Sequence, residues 1–281
     1  MKGIVLVENT APEGSGLQPE HGLSLYLEYG GRKLLLDAGA SGRFADNAER
    51  LGVDLASVEL AVLSHGHYDH AGGLDRFFQL NPSAPVYFRR GAEGDYFARD
   101  PGGLRFIGIP QEVQRAGGSR LRPVDGLHLL FPGAWLVPCT VRDAEFVCQA
   151  DNLLRRDGAG ELVPDDYRHE QSLVLEEDGE LIVFNSCSHN GMVNIVRSVL
   201  DQLPGKRVRA AVGGLHMFSR TAARGMNCTP AYIAAVADTL KELGVEELCT
   251  GHCTGDPALE LLRERFGPGC HALTTGQVLE L

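Results

Sequence analysis

Six consecutive residues, His65-Gly66-His67-Tyr68-Asp69-His70, hold four metal-ligand side chains and follow directly on the apolar run Leu60-Ala61-Val62-Leu63-Ser64. A short apolar run bounded by turn residues reads as a buried strand, so the donors leave together from its carboxyl end. Imidazole and carboxylate are the groups that zinc and similar divalent ions accept at roughly 2.0–2.2 Å. In a loop leaving the strand, His65 and His67 can share one metal, while Asp69 and His70 turn to a neighbouring one. Gly66 removes a side chain where that loop must fold tightly. A surface loop that is merely histidine-rich would need four donors to follow a buried strand by coincidence. The run therefore predicts a metal site with two metals.

The rest of the chain limits what such a site can serve. With 281 residues, 43% of them hydrophobic and 22% charged, it can bury a substantial core. We read it as one domain over 1–281, with a loop-rich excursion at about 90–165 that shapes the pocket. A net charge of −11 argues against nucleic acid or a membrane surface as partner, because phosphate attraction needs basic patches. A small phosphorylated substrate stays open, since a few local cations or metals suffice for it. The opening Met1-Lys2 leads only into the short run Gly3–Val7, which is no signal peptide. No stretch approaches the roughly 18 apolar residues of a membrane span. Seven cysteines, an odd number without regular spacing, fit reduced thiols in a cytoplasmic protein. The oligomeric state is not legible.

Local patterns order the chain. Ile4–Val7, the alternating Leu23–Glu28 and Lys33–Leu36 predict strands, with Gly30-Gly31 as a hairpin turn. Helices are expected at Arg43–Leu51 and Gly73–Leu80 around a strand at Val58–Leu63. Leu173–Leu175 and Leu181–Phe184 flank a second hairpin signal, and Val193–Leu203 has helical spacing. A strand at Val208–Val212 precedes Thr229-Pro230, an N-cap and N1 pair opening a helix to Leu243. Glu247–Thr250 is a short strand, and Asp256-Pro257 opens another helix.

The run at His65–His70 resembles the His-x-His-x-Asp-His motif of the metallo-β-lactamase superfamily. That resemblance implies an α/β (α+β) fold, a four-layer αββα sandwich with metals at the rim between two sheets. Six strings resemble, in order, the subfamily of the methanogen dihydropterin–ribofuranosyl-aminobenzene-phosphate synthase, often labelled metal-dependent hydrolase. They are Glu20–Ser24, Leu63–Gly73, His169–Leu173, Cys187–Gly191, Gly213–His216 and His252–Gly255. The resemblance implies that His65, His67 and His189 serve a first metal, and Asp69, His70 and His252 a second. His169 and Cys187 would be metal ligands or supports for them. His21 and His216 would face substrate, and Asp69 and His216 would take catalytic roles. The cofactors implied are two divalent ions, zinc first, with manganese or iron as alternatives. Where the wider superfamily carries a bridging Asp, this chain has Cys187, with His189 two residues on. In extended backbone those two side chains would face one side.

The expected activity is hydrolysis of a small, phosphoester-containing substrate by metal-activated water. The alternative is a transferase of the synthase type using the same metals. A di-iron redox protein fits poorly, because such relatives have Glu in place of His67 and an attached flavin domain. A non-catalytic sensor fits poorly too, since the ligand set is complete enough for chemistry. His128 and His271 read as surface or core residues. Arg89, Arg90 and Arg220 are solvated arginines or contacts to an anionic substrate.

Overall fold

The computed structural model describes residues 1–147, 152–219, 222 and 224–281, so Arg220 lies outside the described residues. The chain forms two compact units. The first comprises Met1–Asp125, Asp151–His169 and Thr274–Leu281, and the second Gly126–Ala150 and Glu170–Leu273.

The first unit is built on a seven-stranded sheet in the order Val278–Glu280, Lys2–Val7, Ser24–Tyr29, Arg32–Leu36, Leu60–Leu63, Val86–Arg89, Leu121–Val124. Its opening strands pair antiparallel through the expected hairpin at Gly30-Gly31. From Arg32–Leu36 onward every pairing is parallel, with Leu36 opposite Val62 and Leu63 opposite Phe88. The central parallel strand Leu60–Leu63 is apolar on both faces and buried throughout. Helices Arg43–Arg50 and Leu74–Leu80 bring Phe44, Phe77 and Phe78 onto Leu35, Ala61, Leu63 and Val86. Each such side chain contributes about 1.5–3 kcal/mol on burial.

The stretch at 90–165 contains several short strands. Tyr96–Asp100, Gly103–Phe106, Leu153–Arg156 and Leu162–Pro164 make a four-stranded sheet in the first unit. These strands are three to five residues long, and three of the four carry arginines, which hides their alternation. Helix Gln111–Gly117 also escaped the sequence reading, because it buries only Val113 and Gly117 and shows no apolar stripe.

The second unit has its own seven-stranded sheet, ordered Cys270–Ala272, Glu247–Thr250, Val208–Val212, Glu180–Phe184, Gln171–Glu177, Ala134–Pro138, His128–Phe131. Its first four strands run parallel to one another. Helices Met192–Gln202, Pro230–Glu242 and Asp256–Phe266 supply Ile195, Leu240 and Leu262 to a core shared with Val183 and Leu248. Thr229 caps its helix as expected, Oγ1 accepting from Tyr232 N at 3.2 Å with Pro230 at N1. Parallel strands present their carboxyl ends along one edge. The loops that leave Glu180–Phe184, Val208–Val212 and Glu247–Thr250 are therefore neighbours in space. Among the described residues, no helix is long and apolar enough to cross a membrane.

Candidate metal centre

In the first unit the histidine run is only partly a loop. Ser64 and His65 follow the strand, and His67, at φ −100° and ψ 148°, caps a single helical turn over Tyr68–Ala71 that carries Asp69 and His70. Gly66 is required by contact rather than by φ. A Cβ there would lie 2.3 Å from the Ala92 carbonyl oxygen. The rings of His65 and His67 lie 4.6 Å apart between centroids, and those of His65 and His70 4.3 Å apart.

Asp37 sets the state of two of these rings. It ends the strand Arg32–Leu36 in the left-handed region, at φ 56°. Its Oδ1 accepts from Ser64 N at 2.7 Å, and its Oδ2 from Ser64 Oγ at 2.6 Å and His70 Nδ1 at 2.9 Å. A carboxylate only accepts, so His70 carries its proton on Nδ1. Ser64 Oγ, its one proton committed to Asp37, also lies 2.8 Å from His65 Nδ1. His65 must then donate from Nδ1 as well. Both imidazoles are assigned the tautomer whose Nε2 lone pair is available to a metal, the usual carboxylate–histidine arrangement.

His169 is held differently. Gly66 N donates to its Nδ1 at 3.0 Å, and its Nε2 donates to Asp165 Oδ2 at 3.1 Å. Both ring nitrogens are thereby used, so His169 fixes the backbone of the run and orients Asp165. The Tyr96 ring stacks on it at 4.0 Å. His67 Nε2 stands 3.8 Å from the same Asp165 oxygen. Burial lowers the His67 pKa and favours the neutral, ligating form. Burial pushes Asp165 upward, but the facing His169 and His67 outweigh it and hold its carboxyl well below the usual range. His21 Nε2 lies 3.4 Å from Asp69 Oδ2, with the His21 side chain 40% exposed. Glu20 secures the same corner by accepting from the Ala40 and Ser41 amides, each at 3.1 Å.

The second unit gathers its donors from three strand ends. Cys187 and His189 do not lie in extended backbone as expected. Ser188 between them has φ 50°, and the segment turns into helix Met192–Gln202. Their donor atoms converge nonetheless: those of Cys187, His189 and His216 lie within 4.8 Å of one another, as do those of Cys187, His252 and Cys253. The His189 and His216 rings are 4.3 Å apart. Glu170, fully buried, grips the turn, with Oε1 accepting from His189 N at 2.8 Å and Oε2 from Asn190 N at 3.0 Å. His128 and His271 sit on the two outermost strands of this sheet. In the first unit, Arg90 is solvated and paired with Asp125 at 2.9 Å.

The sequence reading missed Asp37, Asp165 and Glu170. Asp37 and Glu170 left a trace, a carboxylate touching the end of an apolar strand and one adjoining a flagged histidine. Asp165 left none. The buried imidazoles of His65 and His70, each with Nδ1 engaged, are donors of the kind that fit a divalent transition metal.

Residues 17–129 match the family described as the metallo-beta-lactamase superfamily. That stretch of the chain resembles the metallo-beta-lactamase superfamily. The match spans the His65–His70 run, and the α+β fold class expected from it is the one observed. Over its whole length the chain is 26% identical to the 7,8-dihydropterin-6-methyl-4-(beta-D-ribofuranosyl)-aminobenzene-5'-phosphate synthase of Methanocaldococcus jannaschii, 96% of which is covered. It superposes with a TM-score of 0.81, at 25% identity, on a solved metal-dependent hydrolase of the beta-lactamase superfamily, covering 100% of this chain and 99% of that one. A diphosphatase of the PhnP family shares the fold at a TM-score of 0.54 and 16% identity, with 100% and 97% of the two chains covered.

Proposed function

We propose that this protein is a metal-dependent hydrolase that turns metal-activated water on a small, phosphoester-containing substrate. The observation that carries this reading is the Asp37–Ser64 relay, which commits Nδ1 of His65 and of His70 and leaves each Nε2 for a metal. In the first unit His65, His67, Asp69 and His70 would serve as ligands to divalent metal, and in the second His189 and His252 would, with zinc foremost and manganese or iron as alternatives. When bound, such ions supply Lewis acidity and a water of near-neutral pKa. The chain's own groups do the rest. Asp69 orients the attacking water, and the half-exposed His21 beside it passes a proton between that carboxylate and solvent. His216 contacts substrate oxygens, and the buried His169 keeps the run from shifting.

A second reading is supported by the full-length likeness to the pterin synthase. In it a carbon nucleophile replaces water and attacks a pterin electrophile, and the same residues bind and orient the diphosphate that leaves as the carbon–carbon bond forms. The two are separated by supplying oxygen-18 water during turnover of phosphomonoester, phosphodiester and lactone substrates, alongside the pterin coupling assay. Label in the product supports hydrolysis, whereas a pterin-linked product without label supports the transferase. Undiminished turnover and metal content in a His65→Ala/His67→Ala double variant would sink both.

A further inference from the structure

We propose that Cys187, Cys253 and His252 form a thiolate-containing site for a thiophilic divalent cation, of the zinc, iron(II) or cobalt(II) class. The proposal deepens the metal reading above and rests on it. All three residues belong to the second unit and all are buried, at 2%, 5% and 4% exposure respectively. The two sulfur atoms stand 3.4 Å apart. Two metal–sulfur bonds of about 2.3 Å at a tetrahedral angle place sulfurs about 3.8 Å apart, so bridging them by one ion needs only a small adjustment. The His252 ring supplies a third donor within 4.8 Å of both.

The backbone around the sulfurs is built for this approach. His252 lies at φ 52°, which turns the chain sharply between its strand and Cys253. His216 N points at Cys253 Sγ at 3.2 Å, a donor that favours charge on sulfur. The Gly213-Gly214 pair lets the loops close. A Cβ on Gly214 would stand 2.4 Å from Cys253 Sγ, and one on Gly213 would stand 1.9 Å from the Asn185 carbonyl oxygen. Neither the Cys187–His189–His216 group nor the Cys187–His252–Cys253 group contains a carboxylate. Sulfur and imidazole donors of this kind select against magnesium and manganese. On binding, each thiol gives its proton to solvent as its sulfur takes the metal, so two protons leave per ion.

The test is an anaerobic cobalt(II) titration of the metal-free, phosphine-reduced chain, followed by absorption. We expect sulfur-to-cobalt charge-transfer absorption in the near ultraviolet alongside the ligand-field bands. Cys187→Ser or Cys253→Ser should weaken it, the double variant should abolish it, and Cys249→Ser should leave it intact. Ligand-field bands with no charge-transfer absorption would overturn the thiolate site while leaving the metal reading standing. No bound cobalt at all would overturn both. If the serine variants do not fold, the cadmium-113 chemical shift of the loaded wild-type chain decides, since sulfur ligation moves it strongly downfield.

Discussion

Asp37 shows how one side chain can fix the state of a site it never enters. It holds Ser64 through backbone and hydroxyl and His70 through Nδ1, all in full burial. Asn tolerates the left-handed backbone at this position and preserves side-chain volume. Yet it puts an NH2 group among three donors that need an acceptor. Asp37→Asn should therefore fold but bind divalent metal about 10–100-fold more weakly, read by competition against a chromogenic chelator. Asp37→Ala should also lose stability, at about 1–3 kcal/mol for each buried donor left unpaired. Unchanged metal affinity in Asp37→Asn would show that the relay does not set the tautomers. At this scale the sequence revealed ligands better than supports. His65–His70 is dense enough to stand out. Asp37, by contrast, acts 27 residues downstream on Ser64 and belongs to no local pattern.

The elements that could be read were those whose pattern is local. The strands through Leu35, Val62 and Val183 are buried on both faces and appear as continuous apolar runs, and Thr229-Pro230 marks its helix by capping chemistry alone. The turn between strand Glu180–Phe184 and helix Met192–Gln202 could not be read this way, because its shape comes from tertiary contact. Gly191 sits there at φ 84°, and a Cβ on it would fall 1.6 Å from the Phe146 carbonyl oxygen. Gly191→Ala must move that segment or the His189 turn. We expect a loss of more than about 4 kcal/mol, at the severe end for single substitutions, seen as a large fall in midpoint temperature. Thr229→Ala, which removes one exposed cap bond, should cost only about 1 kcal/mol. A Gly191→Ala protein as stable as Thr229→Ala would contradict the close packing described for this turn.

For the molecule as a whole, stability at high pH depends on thiols that are unrelated to the metal reading. Burial, then the charge of Glu247, then Cys270 push the Cys249 pKa from 9.0 up to about 12. Burial likewise pushes Cys270 up to about 11, slightly opposed by Arg263. In the unfolded chain both ionise near 9.0. Between that value and their folded ones the unfolded state binds fewer protons, so unfolding free energy falls as pH rises. The contribution is intact below pH 9 and disappears by pH 11 to 12. While it lasts, each thiol accounts for about 1.4 kcal/mol per pH unit. A net charge of −11 adds self-repulsion that also grows with pH, but a cysteine variant shares that background. Denaturant unfolding at intervals from pH 8 to 11 should therefore show a shallower decline for Cys249→Ala than for wild type, even though the alanine lowers stability at pH 8. Parallel declines would mean that Cys249 ionises in the folded protein as readily as in the unfolded one.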